Sequence, residues 1–247
     1  MLCIGDPLAI RVLIADDHEV ARAGLQFALD MHDIEIVATA ASGKEAVAQA
    51  IKHRPQVALV DVRMEDSDGL CALREIREHA PDVAVVMLSM YSNPTYVARA
   101  NAWGASEYLF KTASGSELAD AIRRAANGEP IPRQSPLSRL RELLGRREKD
   151  VALPLTKRQV QVLRFLGLGL ENREIAMSLG ISVDTVKEHV RCVLRALELK
   201  DRTQAAVWAT SSGFMSDFEW DTPKVRSDSR TRLNGPAYPL GRRSVTR

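Results

Sequence analysis

Five side chains between positions 16 and 111 are of the types that phosphoryl transfer to a carboxylate needs: Asp16, Asp17, Asp61, Ser89 and Lys111. A carboxylate attacks phosphorus to give an acyl phosphate when cations neutralise the incoming charge. Asp61 is the candidate nucleophile. Asp17, with Asp16 beside it, would hold a divalent cation next to Asp61, directly or through water. Mg²⁺ suits a few carboxylates completed by water and phosphate oxygens. Lys111 is a compact cation for one phosphoryl oxygen, and the Ser89 hydroxyl can bond another. Two unit charges about 4 Å apart attract by about 4 kcal/mol at an effective dielectric near 20. One phosphate would therefore draw Ser89 and Lys111 together and move the loops that carry them. Tyr108, three residues before Lys111, is a candidate switch residue as well as a candidate core residue.

Taken singly, these residues mean little, since an acidic pair is usually solvated surface and an Asp after a strand is usually a helix cap. Their shared position carries the weight. They follow or close the short aliphatic runs Ile10–Ala15, Val57–Val60, Val83–Leu88 and Tyr108–Phe110. As parallel strands, those runs would deliver every one of these side chains to the same carboxyl edge, where open α/β sheets bind ligands. Helical patterns lie between them. Val20, Gly24, Phe27 and Ala28 form a face within His18–Asp30, Ser42 caps Gly43–Lys52, and Leu70, Leu73 and Ile76 point inward from Gly69–His79. Ile34–Thr39 supplies a further strand, a short helix spans Thr95–Ala102, and a last one carries Leu118, Ala121, Ile122 and Ala125. The expected fold over residues 10–127 is a doubly wound five-stranded parallel sheet of order 2-1-3-4-5, flavodoxin-like, with right-handed crossovers.

Charge divides the chain where the pattern changes. Residues 1–127 carry 12 basic against 18 acidic residues, residues 154–211 carry 9 against 6, and residues 212–247 carry 7 against 4. An acidic front and a basic rear point to two domains with different partners, the second open to nucleic acid. Gly128-Glu129-Pro130-Ile131-Pro132 breaks the last helix of the front half. Residues 128–153 then read as a linker and hinge, with a short helix through Leu137, Leu140, Leu143 and Leu144. A basic tail, 212–247, is too polar and Pro/Gly-rich to build a core and reads as disordered. No apolar run reaches the roughly 20 residues of a membrane span. Cys3, Cys71 and Cys192 are scattered without metal-ligand spacing, as in a reduced cytoplasmic protein.

Residues 154–211 show four helices and no strand. Thr156 and Gln159 have capping-box spacing, Asn172–Leu179 ends at Gly180, Ser182 caps a third helix, and Asp201 a fourth. On the third, Val186, Val190, Val193, Leu194 and Leu197 share one face, against a polar stripe of Asp184, Lys187, Glu188, Arg191 and Arg195. A short helix, a Gly turn and a long polar-faced helix match helix-turn-helix geometry. Lys187, Glu188 and Arg191 would then reach base edges, while Asn172, Arg173, Thr185 and Arg195 favour phosphates. His189, at the stripe's edge without a partner His or Cys, reads as structural or backbone-contacting. Trp208 reads as core or dimer contact.

Residues 10–127 resemble a response-regulator receiver domain, through Ile-Ala-Asp-Asp (14–17), Val-Asp-Val-Arg-Met (60–64), Asp-Gly (68–69), Leu-Ser (88–89) and Tyr-Leu-Phe-Lys (108–111). The second half resembles the LuxR-type helix-turn-helix, through Leu-Thr-Lys-Arg (155–158), Asn-Arg-Glu-Ile-Ala (172–176) and Ser-Val-Asp-Thr-Val-Lys-Glu-His-Val (182–190). Together they resemble the NarL/FixJ response regulators over roughly 200 residues. The resemblance implies a histidine kinase or phosphotransfer protein as phosphoryl donor, Asp61 as acceptor and Mg²⁺ as cofactor. It implies the backbone carbonyl of Arg63 as a further metal ligand, and the fourth helix and fifth strand as the switched face. It also implies promoter DNA as target, a homodimer when phosphorylated, and a receiver that covers the DNA-binding domain beforehand. Departures are Glu65 where the family usually has Pro, Gln159 where Glu is usual, and Glu198 where Gly is frequent. Glu65 adds charge beside the site and is expected to alter phosphoryl lifetime.

Three other readings compete. A phosphohydrolase with an Asp nucleophile of the haloacid-dehalogenase type needs a second acid two residues on, and Arg63 stands there. A flavin carrier shares the sheet, but Asp16-Asp17-His18-Glu19 would repel a flavin phosphate. A receiver that only docks partners and is never phosphorylated is disfavoured by the presence of all five site residues. The chain is therefore read as a phosphoacceptor regulator and not an enzyme, with at most intrinsic phosphotransfer and autodephosphorylation.

Overall fold

A computed structural model describes residues 9–30, 32–65, 67–145, 153–211 and 214–215. Five strands, β1 (Ile10–Ala15), β2 (Ile34–Ala40), β3 (Val57–Asp61), β6 (Ala84–Ser89) and β7 (Glu107–Phe110), form one sheet in the order β2-β1-β3-β6-β7. Every pairing is parallel. Counted alone, the five run 2-1-3-4-5, the expected doubly wound order. Alternation places Val12, Ile14, Leu59, Val86 and Leu88 on one face, under α1 (Glu19–Leu29) and α5 (Gly115–Asn127). Leu13, Ala58, Val60, Val85 and Met87 face the other way, under α2 (Gly43–His53), α3 (Gly69–His79) and α4 (Pro94–Ala102). The register aligns the strand ends: Asp61 pairs with Leu88, and Ser89 with Phe110. An additional hairpin of β4 (Arg63–Met64) and β5 (Ser67–Asp68) follows β3. Its two-residue arms are too short to leave a periodic signal.

Helix α1 corrects one expectation. The face marked by Val20, Gly24 and Phe27 looks outward, with Val20 85% and Phe27 83% exposed. Leu29 is the buried residue of this helix, and Leu25 packs with it against the β1 face. Spacing alone detects an apolar stripe without saying which of two adjacent stripes the sheet will take.

The expected linker helix is present as α6 (Pro136–Gly145), and it is packed. Leu137 and Leu140 are fully buried and belong to the same apolar cluster as α4 and the helices that follow. Ser135, just ahead of α6, donates through its hydroxyl to the buried Glu107 carboxylate, and Arg124 lies 3.8 Å from the same group. At the other end Arg164 and Gln161 donate to the carbonyls of Leu143 and Leu144.

The second half is all helical: α7 (Lys157–Gly167), α8 (Asn172–Leu179), α9 (Val183–Ala196) and α10 (Arg202–Ser211). Thr156 and Gln159 form the expected capping box, and Ser182 accepts from the Thr185 N–H. Gly180 closes α8 at φ 62°, a left-handed backbone that suits glycine. Trp208 packs on Phe214, ring centroids 5.9 Å apart, so its apolar body is used within the domain. The disorder expected for the tail falls, apart from Phe214 and Met215, outside the described residues.

Candidate functional site

The parallel sheet brings Asp16, Asp61 and Lys111 into direct contact, with Asp17 and Ser89 lining the same cleft. Lys111, just past β7, places Nζ 2.5 Å from Asp16 Oδ2 and 2.8 Å from Asp61 Oδ2. Asp16 is fully buried and Asp61 nearly so. Burial pushes the Asp61 carboxyl above its ordinary value and the Asp16 charge adds to this, while Lys111 and the Arg63 N–H oppose it. Burial would lower the Lys111 ammonium, but its bonds to Asp16 and Asp61 reverse the sign and hold it above the usual lysine range. The lysine is thus cationic at neutral pH, as an anchor for a phosphoryl oxygen must be.

Asp17 sits at the mouth. Burial raises its carboxyl, but the Glu65 N–H and the His18 ring outweigh this, and it lies below its ordinary value. Asp16, Asp17 and His18 each offer a ligand atom within 4.8 Å of the others. Nothing in the sequence marks His18 as a ligand, because a single histidine beside an acidic pair is unremarkable. Beneath the site Gly69 packs so closely that a Cβ there would lie 1.7 Å from the Asp61 carbonyl oxygen. The Asp-Gly pair at 68–69 therefore serves tight backbone packing under Asp61.

Ser89 is buried at the end of β6, but its hydroxyl is turned onto its own loop. It donates to the Tyr91 carbonyl at 3.1 Å and accepts from the Tyr91 N–H at 3.0 Å. The Lys111 N–H donates to the Ser89 carbonyl, tying the two strand ends. Tyr108 is fully buried, its ring edge-on to Phe110 at 6.1 Å. Burial pushes its phenol up to about 12, opposed in part by the nearby Ser89 hydroxyl. The Tyr108 hydroxyl has no well-formed hydrogen bond among the described residues. Above the carboxylates, Arg63 reaches over the Tyr91 ring at 5.7 Å. Asp17, His18, Asp61, Arg63, Ser89, Tyr91 and Lys111, with Met64, Glu65 and Met90, line a cleft of about 430 Å³.

The DNA-contact candidates divide into two groups. Thr185, Lys187, Glu188, Arg191 and Arg195 all lie exposed on α9, opposite the buried Val186 and Val193. Lys187 pairs with Asp184 at 2.9 Å and Arg191 with Glu188 at 2.5 Å. Exposed pairs of this kind are worth about 0–1 kcal/mol, so phosphates or bases can replace them. Asn172 and Arg173 begin α8 instead, and Asn172 lies 3.5 Å from Arg202.

Arg173 is engaged by the receiver half. Trp103, the C-cap of α4, lies between the guanidinium groups of Arg74 at 5.3 Å and Arg173 at 5.7 Å. Its indole N–H donates to Glu174 at 3.4 Å, and Arg99 Nε lies 3.2 Å from the same oxygen. The receiver therefore rests on α8 and leaves the polar stripe of α9 open. No sequence pattern marks this contact, since Trp103, Arg99 and Glu174 are each ordinary in their own helices.

Fold and site together define a receiver carrying an acidic, lysine-bridged pocket, joined to a helix-turn-helix domain. Residues 12–123 match the response regulator receiver domain family, and residues 153–209 match the LuxR family of bacterial regulatory proteins. The VraR response regulator of Staphylococcus epidermidis is 38% identical over 203 residues, 82% of this chain and 97% of that protein. VraR of Staphylococcus aureus is 38% identical over the same length. A structure of the RcsB response regulator of Salmonella typhimurium has the same fold, at a TM-score of 0.52 and 20% identity over 82% of this chain and 98% of that one. The chain belongs to the NarL/FixJ response regulators, with a LuxR-type DNA-binding domain. Among the described residues, no helix is long and apolar enough to cross a membrane.

Proposed function

We propose that phosphorylation of Asp61 switches this regulator between a docked form and a form that binds promoter DNA as a homodimer. The phosphoryl donor is a histidine kinase or phosphotransfer protein, and the site of action is the cytoplasm. The observation that carries this reading is the Lys111 ammonium held between Asp16 and Asp61. Asp61 attacks phosphorus through a carboxylate oxygen, and the bond from phosphorus to the donor breaks. Lys111 then exchanges a carboxylate for a phosphoryl oxygen, and the Ser89 hydroxyl leaves Tyr91 to bond another. Asp16, Asp17 and Asp61, with the Arg63 carbonyl, are a hard oxygen donor set fit for Mg²⁺. The cation would supply charge neutralisation for the incoming phosphoryl group. Autodephosphorylation, its rate set in part by Glu65, returns the protein to its starting state.

The output follows from the stripe of α9. Lys187, Glu188 and Arg191 read base edges in the major groove, while Thr185, Arg195, Asn172 and Arg173 hold phosphates. A two-fold dimer reads two half-sites. In the docked form Arg173 is stacked on Trp103, so one phosphate contact is withheld. Phosphate-driven movement of Ser89, at the end of β6 and just ahead of α4, would release it. Replacing Asp61 with Asn tests the switch: the variant should take no phosphoryl group from acetyl phosphate and gain no affinity for promoter DNA. Equal promoter binding by this variant and by phosphorylated wild type would refute the reading.

A further inference from the structure

Asp17 is the carboxylate of the acidic pocket with no Lys111 bond among the described residues, since the ammonium is spent on Asp16 and Asp61. Two other groups hold it in place. The Glu65 backbone N–H donates to Asp17 Oδ2 at 2.8 Å, and His18 Nδ1 lies 2.6 Å from Oδ1. The first of these needs a residue other than proline at position 65, since proline has no N–H to give.

We propose that Glu65 is a positioning residue of the phosphorylation site, whose backbone N–H aims Asp17 at the cation-binding pocket. The proposal rests on the phosphoacceptor reading given above. The bond ties the loop after β3 to the loop after β1, so Asp17 is already placed when a cation arrives. A carboxylate oxygen keeps a lone pair for the cation while it accepts from an amide. Ligating carboxylates are generally oriented by such outer partners. The Glu65 carboxylate is exposed at the rim of the cleft and plays no part in this role.

The test is calorimetric titration of Mg²⁺ into the purified full chain and its Glu65→Pro, Glu65→Gln and Glu65→Ala variants. Glu65→Pro should bind about tenfold more weakly, the lower end of the loss seen when an outer partner is removed. Glu65→Gln and Glu65→Ala keep the amide hydrogen and should lose much less than Glu65→Pro, only the small screened contribution of an exposed charge. The Mg²⁺ concentration that half-saturates acyl phosphate formation from acetyl phosphate should rise by the same factor in Glu65→Pro alone. Unchanged affinity in Glu65→Pro would overturn the proposal, as would an equal loss in Glu65→Gln, which would assign the effect to the side-chain charge. Amide hydrogen exchange on wild type gives a second measure that needs no variant to fold. The Glu65 N–H should be protected without Mg²⁺, and exchange at the rate of a free peptide would also overturn it. If wild type forms no acyl phosphate, the phosphoacceptor reading fails, whereas the Mg²⁺ titration and the exchange rate still judge Glu65 separately.

Discussion

Replacing Arg99 with alanine should release the DNA-binding domain from the receiver without phosphate. Arg99 Nε lies 3.2 Å from Glu174 Oε1, with 32% of the arginine side chain exposed and 8% of the glutamate. Unscreened by anything but an effective dielectric near 20, such a pair would attract by about 5 kcal/mol. A third of the guanidinium side is wet, so screening and lost rotamer freedom reduce the net worth to about 1 kcal/mol. That corresponds to roughly a fivefold shift between docked and open forms, and to a gain of about fivefold in DNA affinity where the docked form predominates. Arg99 is a better target than Glu174. The Glu174 carboxylate also accepts from the Glu171 N–H at 2.7 Å and so completes the cap of α8. Fluorescence anisotropy with a labelled promoter duplex reads the affinity, and Trp103 emission reads the docking directly. Affinity and emission both identical to wild type would show that the contact neither holds the domains nor restrains DNA binding.

Two further outcomes follow from the geometry of the site. Gly69→Ala should cost about 3 kcal/mol or more in urea unfolding, since the new Cβ would meet the Asp61 carbonyl oxygen at 1.7 Å and backbone has to move; an unchanged midpoint would show that β3 and α3 separate freely. Tyr108 should stay protonated to about pH 12, so absorbance titration of the folded protein should show one phenol ionising late, and Tyr108→Phe should remove that component alone. Its folded-state pKa lies above the ordinary 10, so the stability it contributes is complete below pH 10 and is lost as pH rises towards 12. A stability profile flat across that window in wild type, or an identical decline in Tyr108→Phe, would contradict this account.

Much of the architecture was legible because its signals are local and repeated. Strand runs that end in Asp, Ser or Lys recur at βα spacing, and parallel pairing with right-handed crossovers leaves few ways to arrange five of them. The strand ends then had to meet at one edge, so Asp16, Asp61 and Lys111 could be placed together before any distance was known. On α9, strict separation of Val186 and Val193 from Lys187 and Arg191 identified both its buried and its open face.

Tertiary structure alone decided the rest. It turned Val20 and Phe27 of α1 to solvent, because the sheet needed Leu29 and a helix of that diameter covers only one stripe. It buried Leu137 and Leu140, so that the linker is a packed strut between two domains. It set Trp103 between Arg74 and Arg173, and the Glu65 N–H against Asp17. The amino-acid order determined which chemistry the chain carries, since residue type and strand register are encoded within a few positions of each other. Contacts between residues 71 positions apart, such as Trp103 with Glu174, depend on how two separately encoded surfaces meet. No periodicity records that meeting, because each partner satisfies its own helix equally well without the other.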